Sequence, residues 1–150
     1  MNQRQFRVVE AAWGSKPYLG AIALRHEVLR RPLGLVFDPG IFGQEREDLH
    51  VVAMKGDWVV GCMILTVNET RVKMRQVAVE SSLQNQGVGA RMVEFAEQIS
   101  TERGATEVVL HARDTAMSFY LKLGYSVVGD GFEEVGIPHH AMRKSLVEGN

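Results

Sequence analysis

The chain has 150 residues, 45% of them hydrophobic and 23% charged, ordinary proportions for a folded, water-soluble domain. That length buries a core without disulfide or metal staples, so a single domain over residues 1–150 is expected. The formal net charge of −1, with no basic stripe, argues against a general nucleic-acid binder, and no apolar run is long enough to span a bilayer.

Residues 6–10 read as a first strand. Ser15 can cap a helix over residues 17–30, with Pro17 in its first turn and Leu19, Ile22 and Leu29 on one side. Pro32 and Gly34 end it, and residues 35–48 read as an irregular segment with a short helical turn. Three strands follow in meander order, at 50–55, 58–67 and 71–80, with turn signals at Gly56-Asp57 and Asn68-Glu69-Thr70. Cys62, the only cysteine, lies within the second of these and reads as a core residue rather than a nucleophile. A helix after Gly87 places Val88, Met92, Val93, Ala96 and Ile99 on one stripe and stops near Gly104. Residues 106–112 form a buried strand. Asp114 or Thr115 can cap a short helix that carries Ala116, Phe119, Tyr120 and Leu123 and ends at Gly124. Strands at 125–131 and 139–146 complete the chain. The first five residues lack the layout of a signal peptide, so a cytoplasmic protein is expected.

The most informative stretch is Gln76-Val77-Ala78-Val79-Glu80-Ser81-Ser82-Leu83-Gln84-Asn85-Gln86-Gly87-Val88-Gly89-Ala90. An apolar strand runs through a polar loop into a helix opened by two glycines. The first backbone N–H groups of a helix lack intrahelical partners and carry the positive end of its dipole. Without a Cβ at Gly87 or Gly89, a pyrophosphate can approach the main chain closely. The dinucleotide-binding fingerprint fits poorly, since it needs a third glycine and an acid after the next strand.

This stretch resembles the Arg/Gln-x-x-Gly-x-Gly/Ala signature of the GCN5-related N-acetyltransferase (GNAT) superfamily, with Gln84, Gly87 and Gly89 at the defining positions. Ala116-Met117-Ser118-Phe119-Tyr120-Leu121-Lys122-Leu123-Gly124-Tyr125 is similar to its Ala-x-x-Phe-Tyr-x-x-x-Gly-Phe/Tyr segment. Phe132-Glu133-Glu134-Val135-Gly136-Ile137-Pro138-His139-His140-Ala141-Met142 resembles the ending of the ElaA-like subgroup, and Leu24-Arg25-His26-Glu27-Val28-Leu29 resembles its early segment more loosely. The element order β-α-loop-β-β-β-α-β-α-β-β matches the superfamily over essentially the whole chain.

The resemblance implies an α/β/α sandwich around a mostly antiparallel mixed sheet with a splayed central strand pair. It implies an acetyltransferase that moves acetyl from acetyl-CoA to a primary amine by direct attack. Cofactor contacts fall on Val77, Ala78, Val79, Gln84, Asn85, Gln86, Gly87, Val88, Gly89, Ala90 and Tyr120. The main chain of Val77 and Val79 would pair with the pantetheine arm, and the Val77 N–H would face the thioester carbonyl. Tyr120 would donate to the departing sulfur, although a core aromatic is the competing reading. The superfamily often has Asn where this chain has Arg113, and its histone-type members have a base Glu where this chain has Lys73. Neither function carries over to those two positions.

His111 is the leading candidate base and Glu133 the second, each set against a plain structural role. Glu133 and His139 could bracket the acceptor's entrance. Glu45, Glu47 and Asp48 either attract a cationic amine or keep their loop solvated. No spacing of ligands indicates a metal. A small-molecule amine is favoured over a peptide or protein amine as acceptor, because no basic docking segment is evident. Neither a nucleic acid nor a membrane is an expected partner, and whether the chain forms a homodimer is not written in its sequence. The rival reading is a CoA-binding sensor or regulatory module without efficient catalysis.

Overall fold

The structure is a computed structural model that describes residues 6–35 and 40–147. Seven strands form one sheet in the order β1-β2-β3-β4-β5-β7-β6. They are β1 (Arg7–Ala11), β2 (Leu49–Lys55), β3 (Trp58–Asn68), β4 (Arg71–Val79), β5 (Glu107–Arg113), β6 (Ser126–Glu134) and β7 (Ile137–Ser145). Only β4 and β5 run parallel, so the mixed, mostly antiparallel sheet expected from the sequence is present.

On one face lies α3 (Val88–Glu102), whose Val88, Met92, Val93, Ala96 and Ile99 are all buried against Val72, Met74, Val108, Leu110 and Met142. Burial of each large apolar side chain is worth about 1.5–3 kcal/mol, so this stripe fixes the helix to the sheet. The short α4 (Met117–Lys122) joins the same core through Tyr120. No side chain caps it. Asp114, an expected cap, instead pairs its Oδ1 with Nδ1 of His140 at 2.7 Å.

The other face is covered by α1 (Lys16–Arg25), capped by Ser15, whose hydroxyl accepts from the Tyr18 amide at 3.3 Å. Of the stripe expected on Leu19, Ile22 and Leu29, Ile22 is buried and Leu29 packs against the core on this face, but Leu19 does not join them. Leu19 is 57% exposed, and the buried set is Tyr18, Ala21, Ile22, Leu24 and Arg25. A polar anchor sets this rotation. Arg25 donates to both oxygens of Glu45 at 2.9 and 2.7 Å, and the Tyr18 hydroxyl donates to Glu45 Oε1 at 2.9 Å. His50 Nε2 meets the Glu45 carbonyl at 2.9 Å. The anchor fastens the segment after α2 (Ile41–Gln44), the expected short helical turn, to α1. Residues 36–39 of that irregular segment lie outside the described residues.

Regular α-helix stops at Arg25, five residues before the expected end. A π turn (His26–Arg30) and a 3₁₀ turn (Arg31–Leu33) complete the run. Such wide turns recur where a helix is bent to serve a site.

Two irregularities open the sheet. The pairing of β3 with β4 slips between Cys62↔Ala78 and Ile64↔Arg75, and Gln76 takes a positive φ of 55°. One extra residue flips the sidedness of everything beyond it. Before the bulge Val72 and Met74 face α3; after it Val77 and Val79 do, and Ala78 packs with the α1 side. The second irregularity is that β4 and β5 pair only from Arg71↔Glu107 to Met74↔Leu110. Beyond that point the strands part while β5 stays paired with β7 as far as Arg113↔His139. The splayed central pair is therefore present.

Candidate active site

A cleft of about 660 Å³ fills the gap between the parted strands, within the range of small-ligand sites. Its floor is β4 from Lys73 to Val79, and Val77, Ala78 and Val79 all line it. Beyond Met74 the β5-facing side of β4 has no strand partner, which leaves main-chain groups for an extended ligand.

At the far end stands the N-terminus of α3. Its cap residue Gly87 has φ +89°, no side chain caps the helix, and no acid lies in its first turn. A Cβ built on Gly87 would meet nothing within 4 Å, so the space above these amides is open. This is the form of an anion site. Gly89 also makes room for a neighbouring helix. A Cβ there would sit 3.1 Å from Phe119 Cζ, so its bare Cα lets α4 close against α3. Gln84, Asn85, Gly87, Gly89 and Ala90 line the cleft. Gln84 also ties the loop to the strand, its Nε2 donating to the Val79 carbonyl at 3.1 Å. Gln86 and Val88 stand apart. Gln86 Nε2 donates to the Ser82 carbonyl at 3.2 Å, and Val88 is a core residue.

Tyr120 lies in the cleft wall with its ring edge-on to Phe119 and Tyr125. Its hydroxyl has no hydrogen-bond partner among the described residues. Burial pushes its pKa up to about 12, so the phenol stays protonated through neutral pH, the form that donates.

His111 occupies the first β5 position past the last pairing with β4 and lines the cleft. Its Nδ1 meets Glu134 Oε1 at 2.9 Å, and its ring stands edge-on to Phe132. A neutral ring that donates from Nδ1 keeps a lone pair on Nε2. The other Glu134 oxygen lies 4.0 Å from Nε2 of His139, which is buried and donates from Nδ1 to the Ile137 carbonyl at 2.7 Å.

Glu133 is absent from the cleft lining, which holds its neighbour Glu134. The reason is the pleat. Strand β6 extends to Glu134, three residues past its expected end, with Phe132↔His139, Glu133↔Pro138 and Glu134↔Ile137 in register. Alternate residues face opposite sides, so Phe132 and Glu134 share a face with His139, and Glu133 does not.

Of the early-loop acids, Glu45 is spent on the α1 anchor, and burial opposed by the Arg25 guanidinium leaves its pKa below the usual carboxylate value. Asp48 lies 3.6 Å from Arg75, and Glu47 is exposed. Cys62 is buried, which pushes its thiol up to about 12 and leaves it unreactive. Among the described residues no cluster of ligands could hold a metal, and no helix is long and apolar enough to cross a membrane.

Glu134 and Phe132, which contact His111, fall in the gap between the strands expected at 125–131 and 139–146. Alternation carried three residues further would have found them.

A strand opened by a bulge and leading to an uncapped, glycine-started helix defines a cleft for an extended anionic ligand. The family model described as an acetyltransferase (GNAT) domain matches residues 41–146. The chain is 30% identical over 125 residues to the uncharacterized N-acetyltransferase YjcF of Bacillus subtilis, spanning 83% of this chain and 89% of that protein. The crystal structure of an N-acetyltransferase candidate from Lactobacillus plantarum superposes with a TM-score of 0.83 at 23% identity, covering 96% of this chain and 100% of that one. Escherichia coli ElaA superposes with a TM-score of 0.78 at 20% identity, covering 93% of this chain and 99% of its own. The chain belongs to the GNAT acetyltransferase family and is an N-acetyltransferase by class.

Proposed function

We propose that the protein transfers acetyl from acetyl-CoA to a primary amine, with a small molecule as the favoured acceptor. The observation that carries this reading is the parting of β4 and β5 beyond Met74↔Leu110, which aims the bare edge of β4 at the open N-terminus of α3. The amides at Gly87, Gly89 and Ala90 hold the pyrophosphate, with Gln84 and Asn85 shaping the loop. The main chain of Val77 and Val79 pairs with the pantetheine arm. The co-substrate supplies the acetyl group as a thioester and departs as a thiol.

The chain's own groups move the protons. His111 Nε2 accepts the proton of the amine, directly or through water, while Glu134 holds the ring in that tautomer through Nδ1. The Val77 N–H, just past the Gln76 bulge, donates to the carbonyl oxygen as negative charge develops there. The Tyr120 hydroxyl donates to the sulfur as the thiolate leaves. Direct attack needs both the base and this donor in one cleft, and both line it.

Thermal unfolding with and without acetyl-CoA is the first test, since a ligand bound only by the folded state raises Tm by mass action. Release of CoA in the presence of primary amines is the second. A shift without amine-dependent release would instead favour a CoA-binding regulatory module, and no shift would remove the assignment of the loop.

A further inference from the structure

The α1-side face of β4 carries a row of three cations, Arg71, Lys73 and Arg75. The outer two are matched. Arg71 Nε donates to Glu107 at 2.9 Å, and Arg75 lies 3.6 Å from Asp48 and donates to Thr66 at 3.0 Å. The Glu107 carboxylate is also shared with Arg143 at 2.9 Å. Lys73, between them, is half-buried in the cleft and has no carboxylate partner among the described residues.

Lys73 does not belong to the pyrophosphate site. It lies six residues before the end of β4, about 20 Å from it at about 3.3 Å per residue. It also precedes the bulge, on the face away from α3. Its near neighbour is the catalytic candidate. Lys73 pairs in register with Val109, and His111 lies two residues further along the same face of β5. Strand rise and strand spacing put those backbone positions about 8 Å apart. A small molecule spans that gap with one polar contact at each end.

The rest of the acceptor side has the same character. Val28, Leu29, Leu33 and Leu35, from the π turn and the residues after it, form an apolar flank, with Leu33 and Leu35 more than a third exposed. Among the described residues, the cleft is lined by Arg30, Lys73, Arg75 and Arg113 but by a single carboxylate, Glu134. A polycationic acceptor would meet like charge there.

Building on the acetyltransferase reading, we propose that the acceptor is a small amine that carries its own carboxylate and an apolar body. In that arrangement the carboxylate sits on Lys73, the apolar part lies against Leu29 and Leu33, and the amine points at His111. An amino acid with an apolar side chain has this chemistry.

The test is acetylation of matched pairs, leucine against leucinamide and phenylalanine against phenylalaninamide, with spermidine and kanamycin as polycations. Rates are expressed per neutral amine, because acid and amide differ in basicity. The acids should exceed the amides in kcat/KM by about 10- to 100-fold, the scale of one charge-assisted hydrogen bond. Lys73→Gln should erase that ratio through KM, Lys73→Arg should keep part of it, and neither should change the acetyl-CoA thermal shift. Amides that match the acids, a preference for spermidine or kanamycin, or a ratio that survives Lys73→Gln overturns the proposal. So does acetyl-CoA binding with no turnover of any carboxylate-bearing amine. Absence of both acetyl-CoA binding and turnover overturns the acetyltransferase reading itself, which separates the two failures.

Discussion

The two halves of the cleft are built from different material. The half proposed for the cofactor is main chain: the bare edge of β4 after the bulge and the first amides of α3, both braced by the large apolar core beneath α3. The half proposed for the acceptor is side chain: Leu29 and Leu33 from the turns after α1, Lys73 from β4, His111 from β5, Glu134 from β6 and His139 from β7 all line it. A main-chain site constrains only the residues that shape the backbone, so it recurs as a short motif. A side-chain site is assembled from distant segments and can change one residue at a time. Members of one fold can therefore share a co-substrate and differ in what they acetylate.

The largest expected effect tests what supports the acceptor half. Glu45→Ala would leave Arg25 buried and Tyr18 without its acceptor, and should cost about 3–5 kcal/mol of stability, measured by denaturant unfolding. Glu47→Ala, two residues away and exposed, should stay within about 0.5 kcal/mol. The pH dependence has a definite sign. Arg25 holds the folded-state pKa of Glu45 below the ordinary carboxylate value of 4.5. The stabilisation is therefore complete above the unfolded value and is lost as pH falls through the folded one. The Tm difference between wild type and Glu45→Gln should shrink as pH drops below that range. A constant difference would mean the pair does not hold the segment to α1.

Next in size is Tyr120→Phe, which tests where the two halves meet. Turnover should fall by about 10²-fold, the usual scale for a positioned proton donor. Acetyl-CoA affinity should be kept, and stability should stay within about 0.5 kcal/mol because the hydroxyl has no hydrogen-bond partner among the described residues. Chemistry-limited turnover equal to wild type would assign Tyr120 to the core alone.

His111→Gln should lower kcat/KM most for amines that are still protonated at the assay pH and least for those already neutral, in a protein that still binds acetyl-CoA. Glu134→Gln should lower it less, and Glu133→Gln should leave it unchanged. An equal effect from the two neighbouring glutamates would contradict the side of the pleat each occupies. The smallest effect is expected at the loop. Asn85 is exposed with φ +67°, a conformation Asp also tolerates. Asn85→Asp should therefore add only charge beside the α3 N-terminus and weaken acetyl-CoA by about 2- to 5-fold, with acceptor KM unchanged. Gly89 is less suited to this test, since any side chain there presses on Phe119.

What the sequence determined by itself is what contiguous residues encode. The α3 stripe, the strand–loop–helix motif, the order of elements and the inertness of Cys62 all follow from periodicity or from local chemistry over a few turns of chain. The helix after Ser15 was legible as a helix but not in its rotation, because Tyr18 and Arg25 turn toward Glu45, a partner 20 or more residues away. Tertiary structure decided which acids reach the cleft. Glu45 is consumed by the anchor, Glu133 is turned away by the pleat, and Glu134 is brought beside His111 by the adjacency of β5, β7 and β6. It also decided that β4 changes sides at Gln76, since a bulge is visible only once a partner strand sets the register. Lys73 shows the same limit. In the sequence it is a lysine between two arginines, and only the folding of Glu107 and Asp48 onto its neighbours leaves it the one of those three cations with no carboxylate partner among the described residues. Local pattern fixes the period of an element; long-range pairing fixes its rotation, its register and what each face meets.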